Sequence, residues 1–201
     1  NDCPQGWVNF EPSLHLRAQR WALIGPLARR LTPHRFDASI RVGDVLKGLP
    51  VEDGTATAVF SSHVLEHFSR EDALSALREL YRILKPGGVF RCVLPDLKGR
   101  AEYYLDQYDS LNDPAAWLLD STLLGQRARL GSPARRIAGA LLSTTDHKWM
   151  WDFRSLSHAL IQSGFDVPRR ATFHDAADPM FALVEKRERF FWSPSAEPQE
   201  L

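Results

Sequence analysis

Residues 55–95 read TATAVFSSHVLEHFSREDALSALRELYRILKPGGVFRCVLP, and this stretch decides the fold. It opens on Thr55-Ala56-Thr57-Ala58-Val59-Phe60, whose β-branched and apolar content marks a buried strand. A helix is expected from Arg70: Ser69 is an N-cap residue with Asp72 three positions on, and Leu74, Leu77, Tyr81 and Leu84 share one face. Lys85-Pro86-Gly87-Gly88 should end it, because Pro lacks an amide donor and Gly accepts the left-handed turn. Val89 to Leu94 is then a second apolar strand, closed by Pro95-Asp96. Strand, crossover helix and strand imply a parallel pair and the α/β class, with helices on both faces of a mainly parallel sheet.

On the N-terminal side, Trp7 to Phe10 alternates like a strand and stops at Glu11, and Ala38 to Val42 reads as another, followed by Gly43-Asp44. Between them, residues 14–37 form an Arg-rich helical insertion interrupted at Gly25-Pro26. From 14 to 41 the arginines are Arg17, Arg20, Arg29, Arg30, Arg35 and Arg41, against Asp37 alone. Around Trp21, Leu23, Ile24 and Leu27 this segment is amphipathic enough for a peripheral membrane or protein contact. On the C-terminal side, residues 99–150 read as an irregular helical region and Phe153 to Ser163 as an amphipathic helix stopped by Gly164. Strands are expected at Phe165 to Phe173 and Met180 to Lys186, and a disordered tail over 193–201. The whole suits one domain over 1–192.

Lys and Arg number 25, as do Asp and Glu, so no basic surplus points to nucleic acid. Cys3 and Cys92 make neither a disulfide framework nor a zinc site, and a reduced, cytoplasmic protein is the default expectation. His63-Val64-Leu65-Glu66-His67 fits the inverted zinc-protease pattern, in which two histidines hold a metal and the glutamate serves as base. Such a site needs a third ligand, usually a downstream acid, yet no Glu occurs between Glu102 and Glu185. The motif also spans a loop and a single turn, so no metal is expected there. Gly43 and Gly48 have the P-loop interval without its Lys-Ser/Thr, and no Gly-x-Gly or Gly-x-Ser-x-Gly occurs. What survives is a set of groups at strand ends, where open α/β sheets bind ligands: Glu11, Asp44, Ser61 to His63, and Asp96. Glu11 and Asp44 could accept hydrogen bonds from ribose hydroxyls and an exocyclic amine, or be solvated turn residues.

Taken in order, these segments resemble the class I S-adenosylmethionine-dependent methyltransferases, in particular the small bacterial type-11-like group. The carrying motifs are Gly43 to Pro50 with Glu52-Asp53-Gly54, Ser61 to Phe68, Leu80 to Gly88, and Val93 to Leu97, with Gly6 to Glu11 as the second strand and its ribose-binding acid. The resemblance implies a doubly wound, Rossmann-like sheet with an antiparallel last strand. It implies S-adenosylmethionine as cofactor, S-adenosylhomocysteine as product, and cofactor contacts from Glu11, Asp44, Val45, Ser62 and His63. His67 is then expected to hydrogen-bond locally. The family's first strand and Gly-rich loop should precede Gly6, where only five residues stand, so an upstream segment is expected in the natural protein.

Methyl transfer to a hydroxyl benefits from a base of near-neutral pKa, which makes His63 and His147 the catalytic candidates. His147 lies in Asp146-His147-Lys148-Trp149-Met150-Trp151-Asp152, on the side the family uses for its acceptor, with aromatic neighbours that could stack on a sugar. The Asn/Asp-Pro-Pro-aromatic signature of amine-directed DNA methylases is absent. The expected acceptor is therefore a small-molecule or saccharide hydroxyl. The competing expectation is a methyltransferase-like binding module without turnover, with a zinc hydrolase a distant third.

Overall fold

The computed structural model describes residues 3–20, 36–124 and 146–190. The chain divides into two compact units, Asn1–Pro50 with Gly131–Thr144, and Val51–Leu130 with Thr145–Leu201. Residues 21–35 of the Arg-rich insertion, 125–145 of the long helical region and the 193–201 tail lie outside the described residues. Among the described residues, no helix is long and apolar enough to cross a membrane.

In the first unit, β1 (Phe10–Glu11) pairs in parallel with β2 (Arg41–Val42), Phe10 opposite Arg41 and Glu11 opposite Val42. Both strands are shorter than their sequence patterns imply. The Asp37 carboxylate takes the Ser39 amide (2.8 Å) and hydroxyl (2.6 Å), and the Ile40 amide turns back to the Asp37 carbonyl, so Ala38 to Ile40 form a turn. Helix α1 (Leu14–Arg20) follows β1 and buries Leu16 and Gln19, and Arg20 binds the Ala38 and Ile40 carbonyls.

In the second unit, β3 (Ala56–Ser62), α2 (Arg70–Ile83) and β4 (Leu84–Val93) make the expected crossover, with β3 and β4 parallel from Ala58–Val89 to Ser62–Val93. The Ser69 hydroxyl accepts the Asp72 amide at 3.1 Å, so the cap sits where the sequence put it. The helix exit differs. The Gly54 and Thr55 amides bond the Arg82 and Ile83 carbonyls (2.9 and 3.0 Å), which pins the end of α2 beside the start of β3 and lets β4 begin at Leu84, before the Pro-Gly-Gly run. That run bulges out, since Ala56 faces Leu84 while Ala58 already faces Val89. A Cβ at Gly88 would stand 2.9 Å from the Lys85 carbonyl oxygen, closer than the bulge allows.

Beyond β4, Asp96 caps α3 (Leu97–Asp106) and Asp113 caps α4 (Pro114–Thr122), and the two meet through stacked Tyr103 and Trp117 rings. Helix α5 (Phe153–Gln162) opens on a capping box between Asp152 and Ser155. It packs on α2, burying Leu156, Ala159 and Leu160 near Ala73, Ala76, Leu77 and Leu80. Each large aliphatic so buried contributes about 1.5–3 kcal/mol.

The strands expected at Phe165 to Phe173 and Met180 to Lys186 are not formed, and residues 165–190 contain no antiparallel last strand. Instead 3₁₀ turns occupy Pro179–Leu183 and Arg187–Arg189. Two sets of interactions, one local and one distant, explain the difference. The Asp178 side chain accepts the Met180 amide ahead of Pro179's fixed φ, which starts a helical turn. Arg91 of β4 binds the Thr172 (2.7 Å) and Asp175 (3.2 Å) carbonyls and the Glu185 carboxylate, which in turn accepts the His174 amide at 2.8 Å. Those carbonyls are thereby committed to a guanidinium. The described residues are thus mixed α/β, with one two-stranded parallel sheet in each unit.

Candidate functional site

The first unit brings Glu11 and Asp44 to the same end of its parallel pair. Glu11 ends β1, its carbonyl accepts the Gly43 amide (3.3 Å), and Asp44 and Val45 follow directly. The close approach needs Gly43, because a Cβ there would stand 2.6 Å from Phe10 Cδ1. Both acids are half-buried and tied to their own loops: Glu11 Oε1 accepts the Ser13 amide (3.1 Å), and Asp44 accepts the Leu46 amide (3.1 Å) and meets Lys47 Nζ at 3.2 Å. Each carboxylate keeps further lone pairs for a ligand. Pairs of acids at the carboxyl ends of parallel strands are what a nucleoside's hydroxyls and exocyclic amine require, so the residues present fit that group.

The second unit presents a different chemistry at the end of β3. His63 takes a left-handed backbone (φ 53°), uncommon for a residue with a Cβ, while its amide continues the ladder to the Val93 carbonyl at 2.9 Å. Its ring sits between two oxygens, the Arg189 carbonyl 3.0 Å from Nε2 and Glu66 Oε1 3.3 Å from Nδ1. Glu66 lies in a 3₁₀ turn, Leu65–His67, and is wholly buried. Among the described residues, neither of its carboxylate oxygens finds a hydrogen-bond partner, the His63 contact being an ion pair when that ring is protonated. Its carbonyl accepts the Lys148 (2.8 Å) and Trp149 (3.2 Å) amides, which fastens residues 146–151 against the turn.

That fastening carries His147 onto His67, with ring centroids 5.1 Å apart. His67 Nδ1 faces the Asp146 carbonyl at 3.2 Å, a bond to a residue far along the chain and not the local one expected. His147 is buried, and desolvation holds its pKa below the ordinary imidazole value against the opposing pull of Glu66. The Cys92 thiol, on β4, is pushed up to about 12 by burial first and by the Glu66 charge second, so it stays neutral at pH 7. Of the expected stacking residues, Trp151 is a core residue at 1% exposure and cannot face a ligand, whereas Trp149 is 39% exposed.

Glu66, His67 and His147 each offer one ligating atom, all within 4.8 Å of one another. The sequence pattern supplied His67 and Glu66 but not the third group. The third, His147, stands 80 positions beyond His67, and no spacing rule could have found it. His63 contacts Glu66 but is not part of this cluster.

Residues 24–92 match the family described as Methyltransferase domain. Over those residues the chain is similar to methyltransferase domains. It is 36% identical over 132 residues to aclacinomycin 10-hydroxylase RdmB of Streptomyces purpurascens, an alignment covering 63% of this chain and 33% of that protein. The chain thus spans about a third of the length of this relative. A chain of the solved complex containing the Haloferax volcanii Trm112 methyltransferase activator is similar over 85% of this chain and 55% of its own, at 17% identity and a TM-score of 0.43.

Proposed function

We propose that this chain transfers a methyl group from S-adenosylmethionine to a hydroxyl of a small molecule or saccharide, as a cytoplasmic, Rossmann-like, doubly wound domain over residues 1–192. The family match over residues 24–92 carries this reading. The cofactor, when bound, supplies a methyl carbon already made electrophilic by its sulfonium. In the first unit, Glu11 and Asp44 take the ribose hydroxyls and the adenine amine, with Val45 alongside. Ser62 and His63, at the end of β3, are the further cofactor contacts that the family resemblance implies.

His63 is the proposed proton acceptor. Its Nδ1 faces the Glu66 carboxylate, which would orient the ring and stabilise its charged form, and its Nε2 faces the Arg189 carbonyl, a place an acceptor hydroxyl can take. His63 Nε2 would take the proton that an acceptor hydroxyl gives up when it is methylated. His147 and the exposed Trp149 serve the acceptor side.

Incubating the protein with S-adenosylmethionine and a panel of hydroxyl compounds tests this by product mass. A gain of one methylene with matching S-adenosylhomocysteine supports methyl transfer. A gain of one oxygen, the chemistry in the name of the Streptomyces relative, would replace the reading. His147→Ala should lower turnover while leaving S-adenosylhomocysteine affinity intact, and equal loss of both would assign His147 to folding.

A further inference from the structure

We propose that Glu66, His67 and His147 form a binding site for one divalent transition-metal ion, of the borderline kind that zinc represents. The inference does not depend on the methyl-transfer reading. It begins with an accounting of protons. A backbone carbonyl only accepts, so His67 Nδ1 must carry the hydrogen in its 3.2 Å bond to Asp146, which leaves the Nε2 lone pair of the neutral ring free to ligate. His147 Nδ1 is buried and, among the described residues, has no hydrogen-bond partner. In the tautomer with its hydrogen on Nε2, that Nδ1 carries a lone pair able to ligate. The third member is a fully buried carboxylate with no hydrogen bond to either oxygen among the described residues.

The cluster can thus present two lone-pair nitrogens beside a carboxylate, three acceptors facing one another. Burying such a set costs free energy unless a cation satisfies it. Two imidazoles and a carboxylate suit zinc and its first-row neighbours, not calcium or magnesium, which prefer all-oxygen sites. The carbonyl of Asp146 fixes the tautomer and orientation of His67, as outer partners of metal-bound histidines do. Ligands about 2.0–2.2 Å from a tetrahedral ion stand about 3.3 Å apart. From the present spacing, within 4.8 Å, side-chain rotation closes the difference. Arg100, buried on α3, gives its Nε to the Ser121 carbonyl at 3.1 Å. Three protein ligands would leave an open position on the ion.

The test is a titration of the intact, chelator-treated protein with Zn²⁺, and in parallel with Co²⁺ read by its visible absorption. The expected result is one equivalent bound with micromolar or tighter affinity and a cobalt spectrum of nitrogen and oxygen ligation. Glu66→Gln, His67→Ala and His147→Ala should each weaken binding at least about 100-fold, while His158→Ala, on α5 and outside the cluster, leaves it unchanged. The wild-type titration decides even if a variant fails to fold. Absence of stoichiometric zinc binding by the wild type overturns the proposal. So does binding that persists in folded His67→Ala and His147→Ala proteins.

Discussion

Glu66 and Glu185 are both glutamates with almost fully buried carboxylates in the same unit, and they are handled in opposite ways. Glu185 is paired with Arg91 and accepts the His174 amide, and the same guanidinium holds two further carbonyls of residues 172–175. Glu66 lies against His63 without a hydrogen bond and faces two imidazoles across a gap. A buried charge with every partner in place holds loops together. A buried charge left short of partners, next to a histidine with a left-handed backbone, marks a place where the fold gives up stability for chemistry.

The contrast can be broken by mutation. Glu185→Ala strands Arg91 in the interior and should lower unfolding free energy by about 3–5 kcal/mol, measured by urea denaturation with coincident fluorescence and circular dichroism transitions. A loss below about 1 kcal/mol would remove the distinction. Glu66→Leu, in metal-free protein, should stay within about 1 kcal/mol of wild type, because it deletes an ill-satisfied charge at similar volume. The same substitution should cost turnover on the order of 100-fold by leaving His63 unoriented. A third comparison isolates the backbone. His63→Gly should be more stable than His63→Ala by about 1 kcal/mol, since only glycine adopts φ 53° without cost, and equal stability would mean the turn is unstrained.

The legible part of the fold was the part written in neighbouring residues. Ser69 capping α2, the apolar faces of α2 and α5, Gly164 at φ +105° after α5, and the β3–β4 pair all follow from local propensity and periodicity. The errors came where distant groups override propensity. Phe165 to Phe173 and Met180 to Lys186 have strand composition, but Arg91, more than 80 residues upstream, takes the Thr172 carbonyl and the Glu185 carboxylate, and Asp178 starts a turn at Met180. The candidate site divides the same way. The placement of Glu11 and Asp44 at one end of a parallel pair was readable because strand ends are readable. The union of His67 with His147 was not, because it is made by two backbone bonds from Lys148 and Trp149 to the Glu66 carbonyl. Trp151 was misjudged for a related reason: the Leu97 amide bonds its carbonyl at 2.8 Å and draws the ring into the core.

Calorimetric titration of S-adenosylhomocysteine into the protein tests the central claim most directly, with Glu11→Ala and Glu66→Gln measured alongside. The account predicts micromolar binding to the wild type, near-wild-type affinity for Glu66→Gln, and affinity lowered about tenfold or more for Glu11→Ala, which loses charge-assisted bonds worth about 1.5–3 kcal/mol. No measurable binding to the folded wild-type protein would contradict it.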